Sequence, residues 1–262
     1  MNNESTGALD ARSPLGEMRA YRLLVEYDGT GYAGWQRQPH APSIQQTLEE
    51  ALEQVVCHPV RCHAAGRTDA GVHALGQVVR ILIEAPNVDE DGLVRGTNTN
   101  LPEGIRVVSA QPCGVAFDPR RDARLRWYRY SVFVRPVGPA LDRQRLLHLH
   151  GNPDWPSVEK ALEYLRGDHD FAVFRSSACE AVRTRLTLEE AAHVDEDPVH
   201  HLDFKCRSFL QNMVRIMTGL LLEVGLEKHK PEIVREMLET GRRLVSFRVA
   251  PPQGLVLMRV DY

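Results

Sequence analysis

At 262 residues, with 43% apolar and 26% charged side chains, the sequence is that of a soluble globular protein of one large or two modest domains. Its 32 Lys and Arg against 35 Asp and Glu leave a net charge of −3, which excludes a generally basic nucleic-acid binder but leaves room for a locally basic cleft. Five scattered cysteines without a C-x-x-C pair exclude a disulfide framework and a zinc ribbon, and no apolar run is long enough to cross a bilayer.

The first residues carry no basic start followed by an apolar stretch, so no secretory signal is expected and the cytoplasm is the default location. Residues 1–19 are polar and aperiodic and are expected to form a disordered tail. Tyr21 to Tyr27 predicts a strand, and the stretch DGTGYAGWQRQP behind it, with three glycines and a closing proline, predicts a loop. Ser43 to Val56 predicts a helix, capped by Ser43 with Gln46 and carrying Ile44, Leu48, Leu52, Val55 and Val56 on one face. A short strand up to Ala65, a strand Gln77 to Ile83, a helix Val88 to Asn98 and a strand Ile105 to Ala110 complete a β-α-β-β-α-β order, which predicts a ferredoxin-like half over residues 20–112.

A second half is expected over residues 113–262. It runs through a strand Arg126 to Val134, a Pro-rich loop, a helix Ser157 to Leu165 behind Pro156, and strands Arg185 to His193 and His201 to Cys206. An apolar helix Phe209 to Val224, a helix Pro231 to Thr240 and a strand Gly254 to Val260 follow. Two α+β halves facing one another across a cleft is the architecture this order predicts.

Three segments carry residues suited to chemistry. In Gly66-Arg67-Thr68-Asp69-Ala70-Gly71 the glycines permit tight backbone and close approach of a ligand. A carboxylate presented there beside Arg67 suits a nucleophile or a general base; the plainer reading is an Asp capping a turn with an Arg partner. In the helix after Ser208, Arg215 stands among apolar residues with no acidic residue three or four positions away. A guanidinium cannot shed its proton, so it either reaches water from a polar strip or finds an anion elsewhere, and a catalytic carboxylate is one such anion. In DPRRDARLRWYRY, strand alternation puts Arg124, Arg126, Tyr128 and Tyr130 on one face; arginines bind phosphate and tyrosines stack on bases, although a half-exposed strand of ordinary make-up reads the same way. Cys57-His58 and Cys62-His63 do not match zinc-ligand spacing, and no metal site is expected.

Taken together, these strings resemble the TruA family of tRNA pseudouridine synthases over about residues 20–262. YRLLVEYDGTGYAGWQRQP, SIQQTLEEAL, AAGRTDAGVHALGQVV, NTNLPEGIRV, FDPRRDARLRWYRY, DFAVFR, FLQNMVRIMTGLLLEVG and APPQGLVLMRVDY occur in family order. Pro119, Trp127 and Gly96-Thr97-Asn98 depart from common family residues. The resemblance implies two ferredoxin-like halves in a mixed, largely antiparallel sheet, with helices on one side and a central RNA-binding cleft. It implies a homodimer that isomerises uridines 38, 39 and 40 in the anticodon arm of transfer RNA, without organic cofactor or catalytic metal. Asp69 then becomes the catalytic carboxylate, reacting at C1′ or removing the 2′ proton. Arg215 would hold it charged, Arg67 would help open the target nucleotide from its stack and Tyr128 would meet the target base. Arg120, Arg121, Arg124 and Arg126 would contact phosphates. A tRNA-binding protein without catalysis, and a hydrolase pairing Asp69 with a histidine, are the competing readings.

Overall fold

In the computed structural model the residues described are 18–84 and 88–262, so the expected tail lies outside them up to position 17. The first half is built from β1 (Arg19–Tyr27), α1 (Ile44–Val56), β2 (His63–Ala64), β3 (His73–Ile83), α2 (Glu90–Asn100) and β4 (Ile105–Cys113). Helix α1 starts where Ser43, in extended backbone, accepts the Gln46 N–H, and it stops at Cys57, whose φ of 59° ends the helical run. Its inner face is Ile44, Leu48, Ala51 and Leu52, the spacing that one helical stripe requires, and all four are buried. Asp89 caps α2 by accepting the Gly92 N–H.

The second half follows as β5 (Leu125–Val134), β6 (Leu147–Leu149), α3 (Trp155–Leu165), β7 (Gly167–Asp170), β8 (Arg185–Glu196), β9 (Val199–Cys206), α4 (Met213–Gly225), α5 (Glu232–Thr240) and β10 (Leu255–Asp261). Single 3₁₀ turns lie at Phe171–Phe174 and Pro252–Gly254. Pro156 occupies the first turn of α3, where its missing N–H costs nothing.

All of these strands join one sheet in the order β4-β1-β3-β10-β5-β9-β8-β7, with β2 added to β3 and β6 to β5. The order contains the same arrangement twice, β4-β1-β3-β2 and β10-β5-β9-β8, each antiparallel throughout and each ferredoxin-like. The β3–β10 and β5–β6 pairs are parallel, which makes the sheet mixed. β1 is antiparallel to β3, β3 parallel to β10, and β10 antiparallel to β5, so β1 and β5 point the same way. Right-handed crossovers through α1 and α3 therefore place the helices of both halves on one side of the sheet.

The seam between the halves is short, Val256 against His73 and Leu257 against Ala74. It positions the site, because residues 65–72 join β2 to β3 immediately before that pairing.

Two expectations are corrected here. The apolar helix predicted from Phe209 starts only at Met213, because Asn212 takes a left-handed backbone (φ 60°) that a helix cannot contain. Phe209 and Leu210 keep helical spacing in the sequence yet pack from the irregular segment before the turn at Gln211 and Asn212. The strand predicted from Gln77 begins at His73, its first residues being drawn into the sheet by pairing with β10.

Candidate active site

Asp69 lies in the loop between β2 and β3, and the loop is fixed from beneath by buried polar groups. Gln77 Nε2 donates to Gly66 O at 2.9 Å and to Tyr27 Oη at 3.4 Å, and Tyr27 Oη lies 2.8 Å from Thr68 Oγ1. Burial pushes the Tyr27 phenol up to about 12 against the lowering effect of these bonds, so it remains a neutral hydrogen-bonding post. The loop after β1 closes over the other side, with Trp35 N–H donating to Thr68 O at 3.1 Å. Gly34 makes that approach possible: its φ is 96°, and a Cβ there would sit 2.6 Å from Thr68 O. His73 anchors the same loop by accepting the Gly29 N–H at Nδ1 (3.0 Å), and burial holds its pKa below that of an ordinary imidazole, in keeping with a neutral acceptor.

On this frame the Asp69 side chain is 27% exposed and faces Arg215 from the second half, with Oδ2 3.7 Å from Nη1. The turn is closed by the backbone, Val72 N–H to Asp69 O at 3.1 Å, so the carboxylate is not spent on capping it. Arg215 sits in the first turn of α4, and its side chain is 18% exposed. Its Nε donates to Ala250 O and its Nη1 to Asn212 Oδ1, both at 2.9 Å. The Asn212 carboxamide thus orients the arginine and leaves the helix without a side-chain cap. Desolvation raises the Asp69 pKa and Arg215 opposes the rise. Burial outweighs the guanidinium, and Arg215 limits a shift that it does not reverse.

Tyr128 is buried beside the loop, its ring edge-on to Phe209 with centroids 5.1 Å apart. Burial raises its phenol well above the ordinary value, with Tyr27 and the Asp69 charge adding to the rise and Arg126 opposing it. The phenol therefore stays neutral.

A family profile described as tRNA pseudouridine synthase matches residues 23–120 and 161–262. A tRNA pseudouridine synthase A of Pelobacter propionicus is 39% identical over 245 residues, covering 94% of this chain and 100% of its own. One from Syntrophotalea carbinolica is 42% identical over 245 residues (94% and 97%), and one from Geotalea uraniireducens is 40% identical over 248 residues (94% and 100%). The chain belongs to the tRNA pseudouridine synthase family.

As a member of that family, an isomerase family, it brings Asp69, Arg215 and Tyr128 to one place, while the arginines divide. Arg67 is exposed on the loop itself, and Arg120, Arg121 and Arg124 are exposed in the segment just before β5. Arg126 is buried and gives its guanidinium to the carbonyls of Ala65, Arg120 and Arg207. It braces the start of the 65–72 loop against β5 and has no exposed face to offer a phosphate. The expectation of one basic-aromatic face is corrected accordingly: Arg126, Tyr128 and Tyr130 point into the core, while Trp127 and Arg129 lie on the more open side, Arg129 holding Asp203 through two bonds of 2.8 Å. Sequence reasoning does not single out Tyr27, Thr68, Gln77 or Asn212. The one signal it offers is Gln77, a polar residue next to the apolar pair Val78-Val79 in a predicted strand.

Among the described residues no group of three or more His, Cys, Asp or Glu side chains is placed to hold a metal ion, and no helix is long and apolar enough to cross a membrane.

The backbone under Arg215 supplies one prediction. A Cβ on Gly219 would lie 2.0 Å from Arg248 O, so α4 and the 248–250 segment touch only because that residue is glycine. Gly219→Ala must move the segment, and with it the Ala250 O that holds Arg215 and the Ala250 N–H that donates to Arg215 O at 3.0 Å. Stability is expected to fall by about 1–3 kcal/mol, as for an overpacked core, and activity to fall with it. A denaturation midpoint equal to that of the unmodified protein would contradict this account.

Proposed function

We propose that this chain isomerises uridine to pseudouridine at positions 38, 39 and 40 in the anticodon arm of transfer RNA, with Asp69 as the essential carboxylate. The observation that carries the reading is the Asp69–Arg215 pair: an uncapping, partly shielded carboxylate on a glycine-flanked loop, met by a guanidinium from the other half, in a chain of this family. The relatives' name, tRNA pseudouridine synthase A, supplies the substrate and the reaction.

In the reaction the N1–C1′ bond breaks, the base turns, and a C5–C1′ bond forms. The C5 proton is released and N1 gains one, so the product is an isomer of the substrate. An ionised Asp69 serves either route to the detached base, bonding to C1′ or taking the 2′ proton, and Arg215 favours that ionised form. Tyr128, neutral through burial, packs against the base while it turns. Exposed Arg67 helps take the target nucleotide out of its stack, a step that costs unstacking energy. Arg120, Arg121 and Arg124 hold phosphates. The working assembly is a homodimer in the cytoplasm, checked by a solution mass of twice the chain's.

Transfer RNA carrying tritium at uridine C5 tests the reading. Release of label to water, limited to transcripts with uridine at 38, 39 or 40, is expected. A protein that binds the RNA and releases nothing is the non-catalytic reading instead.

A further inference from the structure

Arg215 belongs to two surfaces at once. One nitrogen faces Asp69, and the side chain also lines a cleft of about 680 Å³ bounded by the 3₁₀ turn at Phe171–Phe174, residues 175–177, the start of α4 and residues 241–249. Arg175, Ser176, Ser177, Asn212 and Arg243 line it with Arg215, and no Asp or Glu does. Arg215 shares its charge with Asp69, but Arg175 and Arg243 meet no carboxylate in the wall of the concavity, so in a chain of net charge −3 they give it a local positive field.

These charges are fixed in place. Arg243 donates from Nε to Val173 O at 3.0 Å and from Nη2 to Arg175 O at 2.9 Å, and Arg175 donates from Nη1 to Ala181 O at 3.0 Å. Carbonyl partners hold the side chains without cancelling their charge, and each guanidinium keeps further N–H groups for a ligand. Ser176 Oγ is shielded from solvent and has no hydrogen-bond partner among the described residues. Such a hydroxyl calls for a partner, and an anionic oxygen in the cleft would supply one.

We propose that this cleft is a phosphate subsite for the RNA, holding the phosphodiester that flanks the target uridine, with Arg175 and Arg243 as its cations and Ser176 as a neutral donor. The proposal rests on the tRNA-isomerase reading above. The placement follows from Arg215, whose side chain lines this cleft and whose Nη1 lies 3.7 Å from Asp69 Oδ2. The benefit is positional: once the glycosidic bond is broken, the detached base and the sugar must stay aligned while the base turns, and a clamped backbone keeps the sugar still.

The first arm of the test adds a charge without removing a brace. Ser177 is exposed on the cleft wall, so Ser177→Glu places a carboxylate in it, and Ser177→Gln, of the same size and uncharged, is the reference. With an anticodon-arm RNA hairpin, Ser177→Glu is expected to bind about tenfold more weakly than Ser177→Gln at low salt, the gap narrowing as salt rises. Arg243→Gln is expected to weaken binding and to reduce the slope of log affinity against log salt by about 0.7–0.9, the loss of one phosphate contact. A hairpin with an uncharged methylphosphonate at the flanking position should bind the unmodified protein more weakly and should weaken binding less in Arg243→Gln, where only Arg175 of the two cations remains. Equal affinities for Ser177→Glu and Ser177→Gln, with an unchanged slope in Arg243→Gln, overturn the subsite. If the unmodified protein still releases tritium from transfer RNA in that case, the isomerase reading stands and only the subsite is lost.

Discussion

Asp69→Asn is expected to lower turnover of transfer RNA by at least about 10⁴-fold, the scale of losing a central catalytic group, while RNA affinity stays within a few-fold. Asparagine keeps the size of the side chain and can still accept a bond from Arg215, but it has neither the charge to bond C1′ nor the basicity to take the 2′ proton. Both routes therefore fail in the same variant. The fold should be little affected. Loop 65–72 is held by Tyr27, Gln77, Trp35 and its own backbone, none of which depends on the Asp69 carboxylate. Tritium release measured beside RNA binding and a thermal melt separates the possibilities. Turnover within tenfold of the unmodified protein sinks the catalytic assignment, and a large drop in melting temperature would return Asp69 to a structural role.

The loop that carries Asp69 is legible in the amino-acid sequence because its signals are local. Glycines on either side of the carboxylate mark it, just as the capped helix at Ser43 and the alternating strands mark the ferredoxin-like halves. The features that escape sequence reasoning depend on non-local pairing. Nothing in the spacing says that His73 and Ala74 enter the sheet, since the partner strand lies at Val256 and Leu257. Strand alternation correctly groups Arg126 with Tyr128 but does not say which face is buried, and a buried arginine satisfied by three carbonyls looks in sequence like any basic residue on an RNA-binding strand. The late start of α4 turns on Asn212, whose left-handed backbone is paired with a side chain committed to Arg215. Arg175 and Arg243 are far apart in sequence, and only the folded chain brings them to one wall.

Replacing Arg215 by Met should reveal the charge balance at the site through pH. Burial raises the Asp69 pKa and Arg215 lowers it, so removing the guanidinium leaves the raising effect unopposed. The carboxylate then needs a higher pH to ionise, and because the reaction needs the ionised form, the acid limb of the kcat/KM profile moves to higher pH. Turnover at neutral pH should fall by about 10²–10³-fold, as when one preorganised charge partner is lost, with RNA binding much less affected. Raising the pH should recover part of that loss, which a merely structural arginine would not predict. Methionine fills the space of the stem but cannot bond Ala250 O or Asn212 Oδ1, so some loosening of residues 248–250 is expected as well. Arg215→Lys separates the two effects. It restores a positive charge near Asp69 without the forked geometry that reaches both braces, so its acid limb should lie nearer that of the unmodified protein even where turnover stays low. An acid limb that stays in place in Arg215→Met would mean that Asp69 does not depend on this partner, and the loss of activity would then be assigned to the displaced backbone.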